Sequence, residues 1–525
     1  MKILKTLPVR LSIGTLLMAF AALGVSSIPT GCGKDISTTE PLPTQTFSNV
    51  DANAGSWKMI VLSGPSQIPV AAPAAVNSAT YASEIAQIKS DQAALTDAQK
   101  SSITYWSSGG VLRWNEVMRE LAAKSDLPPA PNSDGTYPVP SAANPFADPQ
   151  YPFSNPPYAA RAYSYVSVAQ FEALKAAWYF KYLYKRPSPS AVDKSVQSLL
   201  PSSGIPSYPS EDAVEAGVNS VLLTLMFPTS VDEINAKTQE QLMVARISGR
   251  ATQSDVDAGF ALGKSVAAIF TARAGTDGMK AAGGTAAVWQ AITDRTIATG
   301  QIAWISQDSP ARPPMLPLFG QVKGWLMAPT DIVAVRPGPP PSTSSAQMKT
   351  ETAEVKASVN NITGDQLATV LKWGDGASTP TPPGHWDTIA VPYIVKAGQS
   401  EVRAARTFAL LNMALHDGAI ACWDTKYFYD NPRPSQLDPS IKTQIALPNF
   451  PSYVSGHSVF SSAAATVLGS LFPDGASYFT QQAQEAGMSR LYAGIHYRSD
   501  ITAGIQEGQQ VGNYAVRFAA TDGAN

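Results

Sequence analysis

The second half of this chain repeats the first at a single offset, and that fact constrains the fold more than any other. Moving the second half back by 245 residues lays Ala404-Ala405-Arg406 over Ala159-Ala160-Arg161 and Trp423 over Trp178. The same shift lays Lys426-Tyr427 over Lys181-Tyr182, and Pro451-Ser452-Tyr453 over Pro206-Ser207-Tyr208. Phe472-Pro473 falls on Phe227-Pro228, Ser499-Asp500 on Ser254-Asp255, and Gly504 and Gly508 on Gly259 and Gly263. One offset shared by separated blocks calls for two related folded bodies. Their type follows from the pattern between the blocks. Long Ala- and Leu-rich amphipathic stretches, such as 113–124 and 159–184, read as helices, and strand patterns are scarce. The expected fold is therefore all-α: two related helical bundles from an internal duplication, packed together.

The repeat is most informative where it fails. Gly456-His457 faces Glu211-Asp212, Arg490 faces Ala245, and His496 faces Ala251. All four histidines of the chain (His385, His416, His457 and His496) lie in the second half. Chemistry that needs imidazole is confined there, so the active site belongs to the C-terminal bundle and the first half is its structural partner.

Three segments of the second half gather the chemistry. Lys426 and Arg433 stand seven residues apart, about two helical turns, and Pro434 ends a helix at Arg433. Two cations at one helix end suit an oxyanion, with Arg supplying paired planar donors and Lys a point charge. Ser455-Gly456-His457 leads into the apolar run 459–472, which reads as a buried helix. Ser455 and Gly456 then sit at its start, where unpaired backbone N–H groups bind anions, and His457 stands beside them to move a proton. In the third segment, Arg490 and His496 would point about 120° apart on one helix, so a break is expected, with Gly494 its natural place. Ser499 or Asp500 caps a following helix through 503–511, and Asp500 holds one ring nitrogen of His496 so that the other stays unprotonated. Three fixed positive charges, two backbone or hydroxyl donors and two histidines match a tetrahedral oxyanion of charge about −2. His416-Asp417, a turn or more before Trp423 on the same predicted helix, reads as a structural pair, with support of the site from behind as the alternative. His385 beside Trp386 has only a bland reading.

The rest of the chain sets the context. Charged residues make up 15% and the formal net charge is −2, which argues against a polyanion-binding surface and so against a nucleic-acid partner. Lys2, Lys5 and Arg10 precede an apolar stretch over 11–28, and Pro29-Thr30-Gly31-Cys32 follows. This resembles a bacterial lipoprotein signal in which Cys32 becomes lipidated; an ordinary secretory signal is the alternative. The organisation expected is a signal over 1–31, a tether and irregular region over 32–95, an N-terminal bundle over 96–334, a Pro/Ser-rich connector over 335–350 and the catalytic bundle over 351–525. The body is expected outside the cytoplasm, periplasmic or at the cell surface, tethered to the membrane through Cys32.

Lys-x6-Arg-Pro, then Ser-Gly-His, then Ser-Arg-x5-His-x3-Asp, spanning Lys426 to Asp500, resembles the motif set of the type-2 phosphatidic acid phosphatase and vanadium haloperoxidase superfamily. The duplicated halves resemble the haloperoxidase branch, as do the run from Arg113 to Leu121 and the Pro-rich loop from Pro314 to Trp325. The resemblance implies vanadate as cofactor, with phosphate able to substitute. It implies His496 as the vanadium ligand and His457 as the acid–base group. Lys426, Arg433, Ser455, Gly456 and Arg490 would hold the oxyanion, with Lys426 polarising it and Asp500 supporting His496. The implied reaction oxidises halide with hydrogen peroxide to hypohalous acid, which then meets a small organic substrate. Trp423 and Phe450 match aromatic residues near the halide site of the chloroperoxidase type; they also read as ordinary core aromatics, and Trp178 fills the same place in the other half. Val454 departs from the Pro common before Ser-Gly-His. Two alternatives stay open: an acid phosphatase with His496 as nucleophile, and a non-enzymatic surface lipoprotein.

Overall fold

The computed structural model describes residues 42–126, 132–136, 155–201 and 204–524. The expected signal, Cys32 and much of the Pro-rich stretch after Asp126 lie outside them. Among the described residues there is no strand, and no helix is long and apolar enough to cross a membrane. The chain is all-α.

The offset seen in the sequence returns element by element. In the first half, α1 spans Pro156–Tyr184, α2 Pro189–Val192, α3 Glu211–Met226, α4 Val231–Ile247 and α5 Gln253–Ala274. In the second, α6 spans Glu401–Tyr429, α7 Pro434–Leu437, α8 Gly456–Leu471, α9 Ala476–Tyr492 and α10 Arg498–Ala519. Every start and end in the second set is the first shifted by 245. The caps repeat too. Lys185 and Asp430, at equivalent places, take the left-handed conformation that stops α1 and α6. Arg161 pairs with Asp277 at 2.6 Å, and Arg406 with Asp522 at 2.6 Å.

The two long helices explain why the halves share one core. Both α1 and α6 are buried over most of their circumference, which a helix achieves only with packing on all sides. They lie against each other with equivalent positions in contact: Asn412 donates to Ser167 at 3.1 Å. Within each half, glycines let the last helix close on the third. A Cβ on Gly263 would lie 2.1 Å from the Val214 carbonyl, and one on Gly508 would lie 2.2 Å from the Val459 carbonyl. Outside the repeat, a helix over Ala79–Ala93 occupies part of the region expected to be irregular. Its Ser78 cap and its buried Tyr81, Ile85 and Ile88 account for it. Part of the expected connector is helical as well, since a helix starts at Ala346.

Candidate active site

The site forms where the ends of α6, α8, α9 and α10 meet. Helix α6 stops at Tyr429, four residues earlier than the Pro434 argument places it, because Asp430 turns left-handed. Arg433 therefore lies beyond the helix and forms the N-cap of the short α7, so Lys426 and Arg433 approach from different elements. Ser455 caps α8 as expected, accepting from the Ser458 N–H at 3.4 Å, and Gly456 opens the helix. Gly494, at φ +78°, breaks the chain between α9 and α10. Helix α10 starts at Arg498, not near 503, because Asp500 reaches back to the Tyr497 N–H at 3.1 Å.

A cavity of about 210 Å³ lies over this junction, with Gly456, His457, Arg490 and His496 in its wall beside Trp423 and Phe450. His496 is buried and its tautomer follows from its partners. Arg433 Nη1, which can only donate, lies 3.0 Å from Nε2; Nδ1 lies 2.9 Å from the Asp500 carboxylate. The ring proton therefore sits on Nδ1 and the Nε2 lone pair points to the arginine. Burial, then Arg433 and Lys426, hold the ring well below its usual basicity, so it is neutral.

Lys426 is fully buried beneath the loop that leads into α8. Its ammonium donates to the carbonyls of Pro451 at 2.8 Å, Ser452 at 2.9 Å and Val454, which uses all three of its N–H groups. Arg433 holds the Phe450 and Ile495 carbonyls, and Arg490 holds Ser489 and the Val370 carbonyl. Among the described residues no carboxylate lies within ion-pair distance of any of the three. Burial pushes Lys426 down to about 8 and both arginines down to about 10. Of the three, Arg490 lines the cavity, while Lys426 and Arg433 sit behind it against the wall residues Phe450 and His496, so the cavity is backed by strong positive charge. At Gly456 an added Cβ would meet nothing nearer than Phe460 at 3.8 Å, so the helix start faces open space. These features fit an oxyanion of the vanadate or phosphate type.

Two further residues come into play that sequence spacing does not reveal. Asp375 lies buried behind His457. Its carboxylate is 3.2 Å from His457 Nε2, at ion-pair distance though out of line for a hydrogen bond, and 2.9 Å from His385 Nδ1. His385 in turn stacks on Trp373 at 4.4 Å. The histidine with only a bland sequence reading thus stands one carboxylate away from the expected acid–base group. Burial opposes ionisation of Asp375, but His385 and His457 outweigh it and hold the carboxyl well below its usual range. The loop carrying it is strained, with Asp375, Ser378 and Thr381 all at positive φ without being glycine. The one available signal was a Pro- and Thr-rich run ahead of His385, which marks a loop but not where it folds.

Trp423 and Phe450 pack with tilted rings, centroids 4.8 Å apart, beside the cavity, and Trp423 also donates to the Met315 carbonyl at 3.0 Å. That carbonyl belongs to the Pro-rich loop from Pro314, and Asp126, Pro156, Arg312 and Met315 of the first half complete the wall. His416 and Asp417 lie elsewhere on α6. Asp417 accepts from the backbone of Trp325, Leu326 and Met327, which pins that loop down, while His416 is buried against the rings of Phe319 and Trp325. The structural reading of this pair suits its surroundings.

Residues 406–522 match the model of the PAP2 superfamily. No curated protein sequence matches the chain. Among solved structures, a bacterial vanadium-dependent iodoperoxidase is similar at a TM-score of 0.52 and 23% identity, over 69% of this chain and 91% of that one. A bacterial vanadium-dependent chloroperoxidase in its holo form is similar at 0.50 and 13%, over 70% and 92%. Residues 406–522 therefore form a domain that matches the PAP2 superfamily, and the chain has the fold of the bacterial vanadium-dependent haloperoxidase structures.

Proposed function

We propose that this protein is a vanadate-dependent haloperoxidase, which oxidises halide with hydrogen peroxide. The observation that carries the reading is the group of three buried cations, Lys426, Arg433 and Arg490, around a helix start whose glycine leaves room for an anion. The two-half fold shared with the bacterial haloperoxidase structures supports it. Vanadate would be held by Arg433, Arg490 and the backbone at Ser455 and Gly456, with His496 Nε2 as its protein ligand. When bound, it supplies Lewis acidity that activates peroxide toward halide. The residues of the chain do the rest. Asp500 fixes the His496 proton on Nδ1, which leaves Nε2 free to bind once Arg433 turns its N–H to the anion. Lys426 spreads positive charge under the site while tying down the loop before α8. His457, backed by Asp375, moves protons at the cavity face. Trp423 and Phe450 give the halide and organic substrate an apolar, polarisable wall.

The same atoms suit a phosphomonoesterase, in which His496 Nε2 would take the phosphoryl group; its neutral, singly protonated ring favours that second reading. One purified preparation decides between them. With vanadate, peroxide and iodide, bromide or chloride it should halogenate a diketone, and His496→Ala should lose at least ~100-fold of that rate. Release of a chromogenic phenol from its phosphate without vanadate, together with peroxidase silence, would select the phosphatase. Unchanged activity in His496→Ala would remove both.

A further inference from the structure

The first half keeps part of the frame of the anion site, including two of its hydrogen bonds, though Ser188, Ala245 and Ala251 stand where Arg433, Arg490 and His496 would be. Lys181, the counterpart of Lys426, donates to the Pro206 carbonyl at 2.7 Å, as Lys426 does to Pro451. Ser210 caps α3 by accepting from Ala213, as Ser455 caps α8. The two loops differ at the first helical residue. Where Gly456 leaves open space, Glu211 projects a carboxylate that is 2.6 Å from Lys181 Nζ and 2.8 Å from Arg250 Nη2. Arg250 replaces Ile495 of the other half, and Asp212 replaces His457 and lies 3.6 Å from the same guanidinium.

Charge separates the two sites. Among the described residues, the buried lysine of the second half has no carboxylate within ion-pair distance. In the first it has Glu211, which is 6% exposed. Burial opposes ionisation of Glu211, yet Lys181 and Arg250 outweigh it and lower the group to about 2. Its two ion pairs hold the carboxylate at the helix start, where the second half has room for a mobile anion.

We propose that the first half is a second oxyanion pocket, closed by the Glu211 side chain acting as a built-in ligand, and that removing this side chain opens it to a small tetrahedral oxyanion. Without Glu211, Asp212 is the carboxylate left within ion-pair distance of Arg250 among the described residues. Glu401 acts on the same guanidinium from further off, but burial raises it to about 7, so the two cations leave a positive site suited to phosphate.

The probe is inorganic phosphate and the readout is the difference from the wild-type chain, so the result does not depend on whether the second-half site itself takes phosphate. Equilibrium dialysis should show Glu211→Gly binding one more phosphate per chain than wild type. Its melting temperature should be below wild type without phosphate and should recover more steeply as phosphate is added. Glu211→Gln, which keeps the bulk and loses the charge, should be destabilised but bind no extra phosphate. Adding Arg250→Ala to Glu211→Gly should abolish the extra equivalent. The proposal fails if folded Glu211→Gly binds no more phosphate than wild type, or if the extra equivalent survives Arg250→Ala. It fails equally if Glu211→Gln is as stable as wild type, or if Glu211→Gly cannot be recovered folded from phosphate buffer while Glu211→Gln can.

Discussion

At the scale of single residues, His457 stands under opposed influences. Burial and Arg490 lower its basicity, while Asp375 raises it. Removing the charge with Asp375→Asn should therefore lower the His457 pKa further. The activity limb that needs protonated His457 should move to more acid pH, and turnover at neutral pH should fall by roughly 10- to 100-fold. A pH–rate profile checks this; an unmoved limb would mean that Asp375 does not set His457. The ligand set around His496 was readable in the sequence, because its residues fall in short motifs whose spacing reflects helix starts and one glycine break. Asp375 was not, since a loop at positive φ brings it to His457 across about 80 residues of chain, nor was His385, which reaches the site only through Asp375. Nor does any spacing reveal that the Lys426 ammonium is spent on three carbonyls.

At the scale of elements, the approach of α10 to α8, and of α5 to α3, depends on glycines facing backbone. A methyl group at Gly508 or Gly263 would meet a carbonyl oxygen at 2.2 Å or 2.1 Å, and a backbone carbonyl on a packed helix cannot step aside cheaply. Gly508→Ala and Gly263→Ala should each cost about 1–3 kcal/mol in denaturant unfolding. Gly456→Ala, whose methyl group would meet nothing within 3.4 Å, should leave stability nearly unchanged while weakening phosphate binding. Equal losses at all three positions would refute this account. The existence and order of these helices followed from the apolar period and the repeat. Their ends followed less well. Pro434 suggested that α6 runs to Arg433, but a left-handed Asp430 stops it sooner, and residue type predicts that conformation only weakly outside glycine.

At the scale of the whole molecule, buried carboxylates join the halves. Asp387 accepts from Asn115 of the first half and from Asn412, and Glu401 accepts from the N–H groups of Gly110 and Val111. Burial raises Asp387 and Asp430 to about 7 and Glu507 to about 8. Each holds its proton more tightly folded than unfolded. The stability this lends is complete below the unfolded values near ~4 and is lost as pH rises through the folded ones. The buried histidines His416, His457 and His496 act in the opposite sense, but their cost arises below about 6.5. Lys426, lowered to about 8, also acts in the opposite sense as it loses its proton near that pH. Between about pH 6.5 and 7.5 the carboxylates dominate, and the melting temperature should fall by a few degrees, while a flat or rising profile would contradict the assignment. The repeat announced two bodies, but it could not announce that they share an interior, because contact between the equivalent positions Ser167 and Asn412 leaves no periodic mark. That contact has a consequence for how the molecule can change. Neither long helix has an inner surface of its own, and the first half supplies part of the cavity wall. The half without histidines thus cannot be shed as a spare copy: the shortest stretch of chain able to wall the pocket runs through both halves.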